Sequence, residues 1–190
     1  MGEDRRTPEL SGLPFSTERI ASRADYDRVR ANFRWQCPES FNFGFDVVDA
    51  WAAVSPEHLA LQWVGPGVER TLTYSQLADR SGRCARALTE LGLARGERVL
   101  VILPRVTEWW EVLIGLLKAG VVAIPGTTLL TPKDLAYRIG LAGVSAVITD
   151  ADGAEKIDTI AHQVTGLRQR ILVDKDQRPH WHSYEEILAA

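Results

Sequence analysis

Apolar positions along this chain follow two rhythms. From residue 98 onward, short runs at 99–103, 121–124, 145–149 and 171–173, apolar apart from Ser145 and Thr149, read as strands buried on both faces. Between them, apolar residues at helical spacing predict helices over 108–119, 132–141 and 153–163. Strands alternating with crossover helices build a parallel, right-handed, doubly wound sheet. Upstream, Val47, Val48, Ala50, Trp51 and Val54 mark one helix face, closed by Ser55-Pro56. A strand over 58–64, the turn Gly65-Pro66-Gly67 and a return over 70–73 predict a hairpin. The following helix runs to Leu91, with Leu77, Cys84, Ala85 and Leu88 also on its apolar face and Gly92 as its stop.

Polar punctuation sharpens these boundaries. Thr73 and Gln76 fit a capping box, in which hydroxyl and amide satisfy N–H groups at a helix start. Thr131 before Pro132, with Asp134 in the first turn, marks another start, and Asp152 ahead of Glu155 a third. Ser183 and Glu186 predict a capping box opening a last helix. The helix over 108–119 is apolar nearly all round, which implies burial on more than one side. In a domain of this size one apolar side is expected to stay exposed, the mark of a further protein layer.

Residues 1–40 differ: seven Arg and seven Asp or Glu accompany few aliphatics, so this is an N-terminal extension ahead of a domain over 41–190. A short surface helix is predicted over 24–33. Trp35, Phe41, Phe43, Phe45 and Trp51 are read as docking this extension on the main fold, because stacking on bases also needs a basic groove. With 45% hydrophobic and 25% charged residues the chain is globular in composition. A net charge of -3 gives no general attraction to nucleic acid or an anionic membrane. Eighteen of the 22 basic residues are Arg, without a cluster suited to phosphate. Cys37 and Cys84, distant and outside any CxxC, read as reduced thiols. A charged N-terminus without an apolar h-region, and no apolar run of membrane-spanning length, lead to the expectation of a soluble, cytoplasmic protein.

Few residues offer chemistry. GxGxxG, GxxxxGK[ST] and GxSxG are all absent, so the common phosphate loops and the nucleophile elbow are not indicated. His180 and His182 lack a third ligand and read as a solvated loop. Cys84 falls on a buried helix face, where packing outweighs reactivity. Glu108 and Glu111 are accounted for by the positive end of their helix, and Trp109 with Trp110 by core packing. The strongest candidate is Pro125-Gly126-Thr127-Thr128, at the C-terminal end of a parallel strand where doubly wound sheets place ligands. Its glycine permits close backbone approach and its hydroxyls suit a polar ligand, while a plain strand-to-helix turn remains the other use of these residues.

In order, Phe41-Asn42-Phe43, Thr71-Leu72-Thr73-Tyr74, Arg98–Pro104 and Pro125-Gly126-Thr127 resemble the start of the AMP-forming adenylating superfamily. Leu103–Trp110 together with Pro125-Gly126-Thr127 is similar to its medium-chain acyl-CoA synthetase branch. The resemblance implies an α/β, doubly wound, mostly parallel sheet with flanking helices, the first subdomain of the family's N-terminal domain. It implies a ligase reaction in which a medium-chain fatty or aromatic carboxylic acid, ATP, Mg²⁺ and CoA yield acyl-CoA, AMP and pyrophosphate. In the family a Thr/Ser/Gly-rich loop ending in Pro-Lys grips ATP, and no such loop occurs within these 190 residues. The expectation is therefore an N-terminal fragment, inactive alone, whose partner is the remainder of the enzyme, with no catalytic residue and no metal ligand of its own. Resemblance also places Gly126, Thr127, Thr128 and Leu129 near CoA, and Lys156 toward a CoA phosphate. Leu129 stands where several members carry Gln, which removes a polar contact. A non-catalytic binding module on the same scaffold is the alternative.

Overall fold

The computed structural model describes residues 21–34, 38–174 and 177–190. Trp35, Cys37 and most of the expected extension lie outside them. Within the extension, α1 (Arg23–Asn32) forms behind the Ser22 cap, whose side chain accepts from the Asp25 amide, and it buries none of its residues. The next helical segment starts earlier than its apolar pattern predicts. Asn42 accepts from the Gly44 amide at 2.9 Å, and a π-helical stretch, Phe43–Asp49, runs into α2 (Ala50–Val54). Lys118 fastens this segment: its ammonium reaches Asp49 at 2.6 Å, and its side chain is almost wholly buried.

β1 (Leu59–Gly65) and β2 (Val68–Thr73) form the expected antiparallel hairpin. Gly67, at φ 70°, supplies the left-handed turn that a side chain would strain. β2 passes straight into α3 (Tyr74–Glu90) through the predicted capping box of Thr73 and Gln76. Five further strands form one parallel sheet: β3 (Arg98–Ile102), β4 (Val122–Pro125), β5 (Ala146–Thr149), β6 (Gln169–Leu172) and β7 (His182–Ser183). Their order across the sheet is β4-β3-β5-β6-β7. The connecting helices are α4 (Thr107–Ala119), α5 (Pro132–Ala142), α6 (Ala151–Thr159) and, after β7, α7 (Tyr184–Ala189).

Alternation along β3 explains why its sequence is apolar throughout. Val99, Val101 and Leu103 pack with α3, α4 and α7 on one side, through Leu88, Val112, Leu116 and Leu188. Leu100 and Ile102 pack with α5 and α6 on the other, through Leu135, Ile139 and Ile157. A strand covered on both faces has no place for a polar residue. The doubly wound expectation is therefore met, with three helices on one side and two on the other.

Two predicted starts are corrected. α6 is capped by Asp150, whose carboxylate accepts from the Gly153 amide at 3.0 Å, two residues before the expected Asp152. Ser183 makes no side-chain capping bond, because it belongs to β7 and pairs with Leu172. His182 lies in the same short strand, opposite Ile171, so half of the presumed solvated loop is a sheet edge.

Candidate functional site

Strand order reverses beside β3: the chain steps outward to β4, then returns past β3 to β5. In doubly wound sheets of this order, ligands lie beyond the C-terminal strand ends near that reversal. The turn after β4 begins with Gly126 donating its amide to the Val101 carbonyl at 2.8 Å, so it is an extension of the strand pairing. A Cβ on Gly126 would stand 3.2 Å from Leu130 Cδ1, which explains the small residue there by packing rather than by unusual backbone angles. Leu130 is buried beneath the turn and plugs it into the α5 side of the core. Leu129 points the other way and is 85% exposed. Thr127 Oγ1 accepts from the Leu129 amide at 3.3 Å and keeps its own proton to donate.

Lys156, on α6, joins this turn. Its ammonium donates to the Thr128 carbonyl at 2.7 Å, so every candidate residue from the sequence falls in one place. One of the three ammonium donors is spent on the turn. The acidic neighbour Asp158 is engaged elsewhere, with Arg178 at 2.6 Å, Arg170 at 3.6 Å and the Trp181 indole N–H at 3.0 Å. Its charge therefore does not hold Lys156. The arrangement can present a cation and a hydroxyl to a phosphate-bearing ligand. α6 approaches this closely because Gly153 has no side chain; a Cβ there would collide with Thr149 Oγ1, which is itself bonded to the Ile102 carbonyl at 2.7 Å.

A groove of about 480 Å³ opens beside the end of β3. The hairpin supplies Leu61 and Trp63, the β3–α4 turn Leu103 to Val106, and α4 Trp109 and Trp110. Trp63 donates its indole N–H to the Arg105 carbonyl at 2.6 Å, which pins the hairpin to the turn. Trp109 and Trp110 meet edge to face at 4.8 Å, and Trp110 is 48% exposed. Trp109 packs against the core and both tryptophans line the groove, so core packing does not account for Trp110. Leu117, one face with Trp110, is also exposed, which matches the expected uncovered side of α4. Phe41, Phe43 and Phe45 are exposed too, whereas Trp51 stacks with both His58 and Tyr74, at 5.3 and 5.1 Å.

The helix-end account of Glu111 is corrected: among the acids of α4 only Glu108 lies in the first turn. Glu111 is 2% exposed, paired with Arg80 Nε at 2.7 Å, and it accepts from the Tyr184 hydroxyl at 3.2 Å. Burial pushes its carboxyl above the usual range despite the guanidinium beside it. Arg80 and Tyr184 come from distant parts of the chain, so only the helical dipole was visible locally. Cys84 lies in the same region, and burial raises its thiol to about 12, which leaves it inert as a nucleophile. His182 meets Gln169 at 3.1 Å, and among the described residues no group of three His, Cys, Asp or Glu is placed to hold a metal ion. No described helix is long and apolar enough to cross a membrane.

The class is an open, doubly wound α/β domain, its parallel five-stranded sheet flanked by helices on both faces. Residues 48–188 match the AMP-binding enzyme family, and the chain belongs to it. It is 38% identical over 158 residues to the mitochondrial acyl-coenzyme A synthetase ACSM5 of Rattus norvegicus, covering 80% of this chain and 27% of that protein. Against ACSM3 of Homo sapiens, also mitochondrial, identity is 34% over 172 residues, 87% of this chain and 29% of the relative. Among solved structures, a fatty acyl CoA synthetase of Mycobacterium tuberculosis superposes with TM-score 0.67 at 31% identity, over 78% of this chain and 28% of that one. The anthranilate CoA ligase AuaEII, solved with anthranoyl-AMP, has TM-score 0.73 at 22% identity over 80% of this chain and 29% of its own, a likeness of fold. The chain thus spans less than a third of the length of these relatives.

The mitochondrial relatives overturn the cytoplasmic expectation. That expectation rested on a missing apolar h-region, which speaks against a secretory signal only; mitochondrial leaders are Arg-rich and amphipathic instead.

Proposed function

We propose that this chain is the N-terminal part of an AMP-forming acyl-CoA synthetase, with residues 1–40 as an extension and 41–190 as part of the AMP-binding domain. The complete enzyme joins a medium-chain fatty or aromatic carboxylic acid to CoA at the expense of ATP, with Mg²⁺ neutralising phosphate charge. The carrying observation is the family match over 48–188 in a chain that covers under a third of its synthetase relatives.

The role assigned to this part is scaffold and coenzyme contact. Gly126, Thr127, Thr128 and Leu129 form the turn facing CoA, and Lys156 both braces that turn at Thr128 and offers its remaining donors to a CoA phosphate. Leu129, exposed and apolar, gives CoA a van der Waals surface in place of a hydrogen bond. Thr127 supplies a hydroxyl proton. ATP and Mg²⁺ are assigned to the remainder of the enzyme; among the described residues no group of three His, Cys, Asp or Glu is placed to hold a metal ion.

An NMR titration of the chain tests the assignment. Millimolar CoA is expected to shift the amides of residues 126–130 and the Lys156 side chain, while ATP produces no saturable change. Shifts confined to other regions, or saturable ATP binding, contradict the reading.

A further inference from the structure

The sheet has two sides beyond the C-terminal end of β3, and the coenzyme turn uses one of them. That turn is plugged into the α5 side by Leu130, whereas the tryptophan groove opens toward α4. Both adjoin the reversal of strand order, where doubly wound sheets place their ligands. The groove volume of about 480 Å³ falls within the roughly 300–1,000 Å³ of small-molecule sites. Three indoles contribute to its walls, Trp63 from the hairpin and Trp109 with Trp110 from α4. Two of these rings are fixed, Trp63 by its bond to the Arg105 carbonyl and Trp109 by packing on the core. The groove is therefore formed in advance of any ligand.

Its polar side chains favour an acceptor. Arg105 is the only charged residue among those lining the groove. Among the described residues its guanidinium has no partner, and neither do the indole N–H groups of Trp109 and Trp110. No buried side-chain nitrogen or oxygen among them lacks a partner, so these donors are open to solvent. The Arg105 carbonyl is already taken by Trp63. Neighbouring carboxylates are engaged elsewhere: Glu69 accepts from Gln62, and Glu108 accepts from the Thr107 hydroxyl at 3.0 Å and pairs with Arg70 at 3.8 Å. Arg70 also lies over the Trp63 ring at 5.9 Å, so a second guanidinium borders this wall.

We propose that this groove binds an aromatic monocarboxylate, its ring among the indoles and its carboxylate on the Arg105 guanidinium. The planar fork of Arg meets a carboxylate with two parallel hydrogen bonds, and ring-to-ring contact adds to the gain from burial alone. The ligand class overlaps the acids of the proposed reaction, but the site stands on the groove alone. None of its lining residues belongs to α6 or to the turn at Gly126 to Leu129.

An NMR titration of the purified chain that follows the indole N–H signals tests the site. Millimolar benzoate is expected to shift those of Trp63, Trp109 and Trp110 saturably and to leave those of Trp51 and Trp181 in place. Benzyl alcohol keeps the ring without the charge and should bind about tenfold or more weakly, for want of the charge-assisted hydrogen bond. Cyclohexanecarboxylate keeps the charge without the aromatic face and should bind about two- to tenfold more weakly. Arg105→Met changes an exposed, unpaired side chain; it should weaken benzoate about tenfold and leave benzyl alcohol unaffected. Trp110→Leu should weaken both. Benzoate without saturable indole shifts overturns the proposal, as does equal binding of either control compound or full benzoate affinity in either variant. Shifts by CoA at residues 126–130 without shifts by benzoate refute this site and leave the coenzyme reading standing, and the converse result does the opposite.

Discussion

Replacing Lys156 by Met isolates the bond on which the candidate site depends. Met preserves the unbranched stem along α6 and deletes the ammonium that donates to the Thr128 carbonyl at 2.7 Å. A hydrogen bond from a charged donor contributes about 1.5–3 kcal/mol. The lower figure applies, because Lys156 is half-buried and the freed carbonyl regains water at the surface. A loss of about 1.5 kcal/mol in a chain of this size lowers the melting temperature by about 3–6 °C. Differential scanning calorimetry measures that shift, and hydrogen exchange localises it: the Leu129 and Leu130 amides, which bond to Thr127 Oγ1 and the Thr127 carbonyl, should exchange faster than those of β5. An unchanged melting temperature with unchanged exchange in the turn refutes the view that Lys156 braces it.

Two further outcomes follow from local geometry. Gly153→Ala places a methyl group against the buried, hydrogen-bonded Thr149 and should cost about 1–3 kcal/mol by crowding, offset in part by the helix preference of Ala, about 1 kcal/mol; a stabilised variant in a thermal melt contradicts the close approach of α6. The Ala94 amide, then the Ser145 hydroxyl and Arg168, hold the Glu97 carboxyl down to about 2. A depressed carboxyl contributes stability above its unfolded value of 4.5 and loses it as pH falls toward 2. Glu97→Gln should therefore flatten acid destabilisation between those values in urea titrations, and an unaltered pH profile argues against the cluster.

What the sequence disclosed followed from the range of the forces involved. The capping box at Thr73 and the helix start at Thr131 were legible because each closes within four residues. Likewise β3 and β5 were legible, since burial on two faces leaves a continuous apolar run. β7 was not, because two residues carry no period and their strand exists only by pairing with β6. The early start at Phe43 depends on Asn42, which reaches the Leu117 carbonyl across the fold at 2.7 Å. Of the candidate site, the turn after β4 was visible from its place at a strand end, but its union with Lys156 required α6 to fold against it. Glu111 read as an ordinary first-turn acid because Arg80 and Tyr184 meet it only in three dimensions. The tryptophan groove had the same cause: one wall belongs to the hairpin, pinned there by Trp63.

The account turns on these residues supplying scaffold and coenzyme contact without the adenylating machinery. The most direct measurement is pyrophosphate release by the purified chain with ATP, Mg²⁺, CoA and a series of fatty and aromatic carboxylic acids. No release above the protein-free rate is predicted for any acid. Saturable release with even one of them contradicts the account.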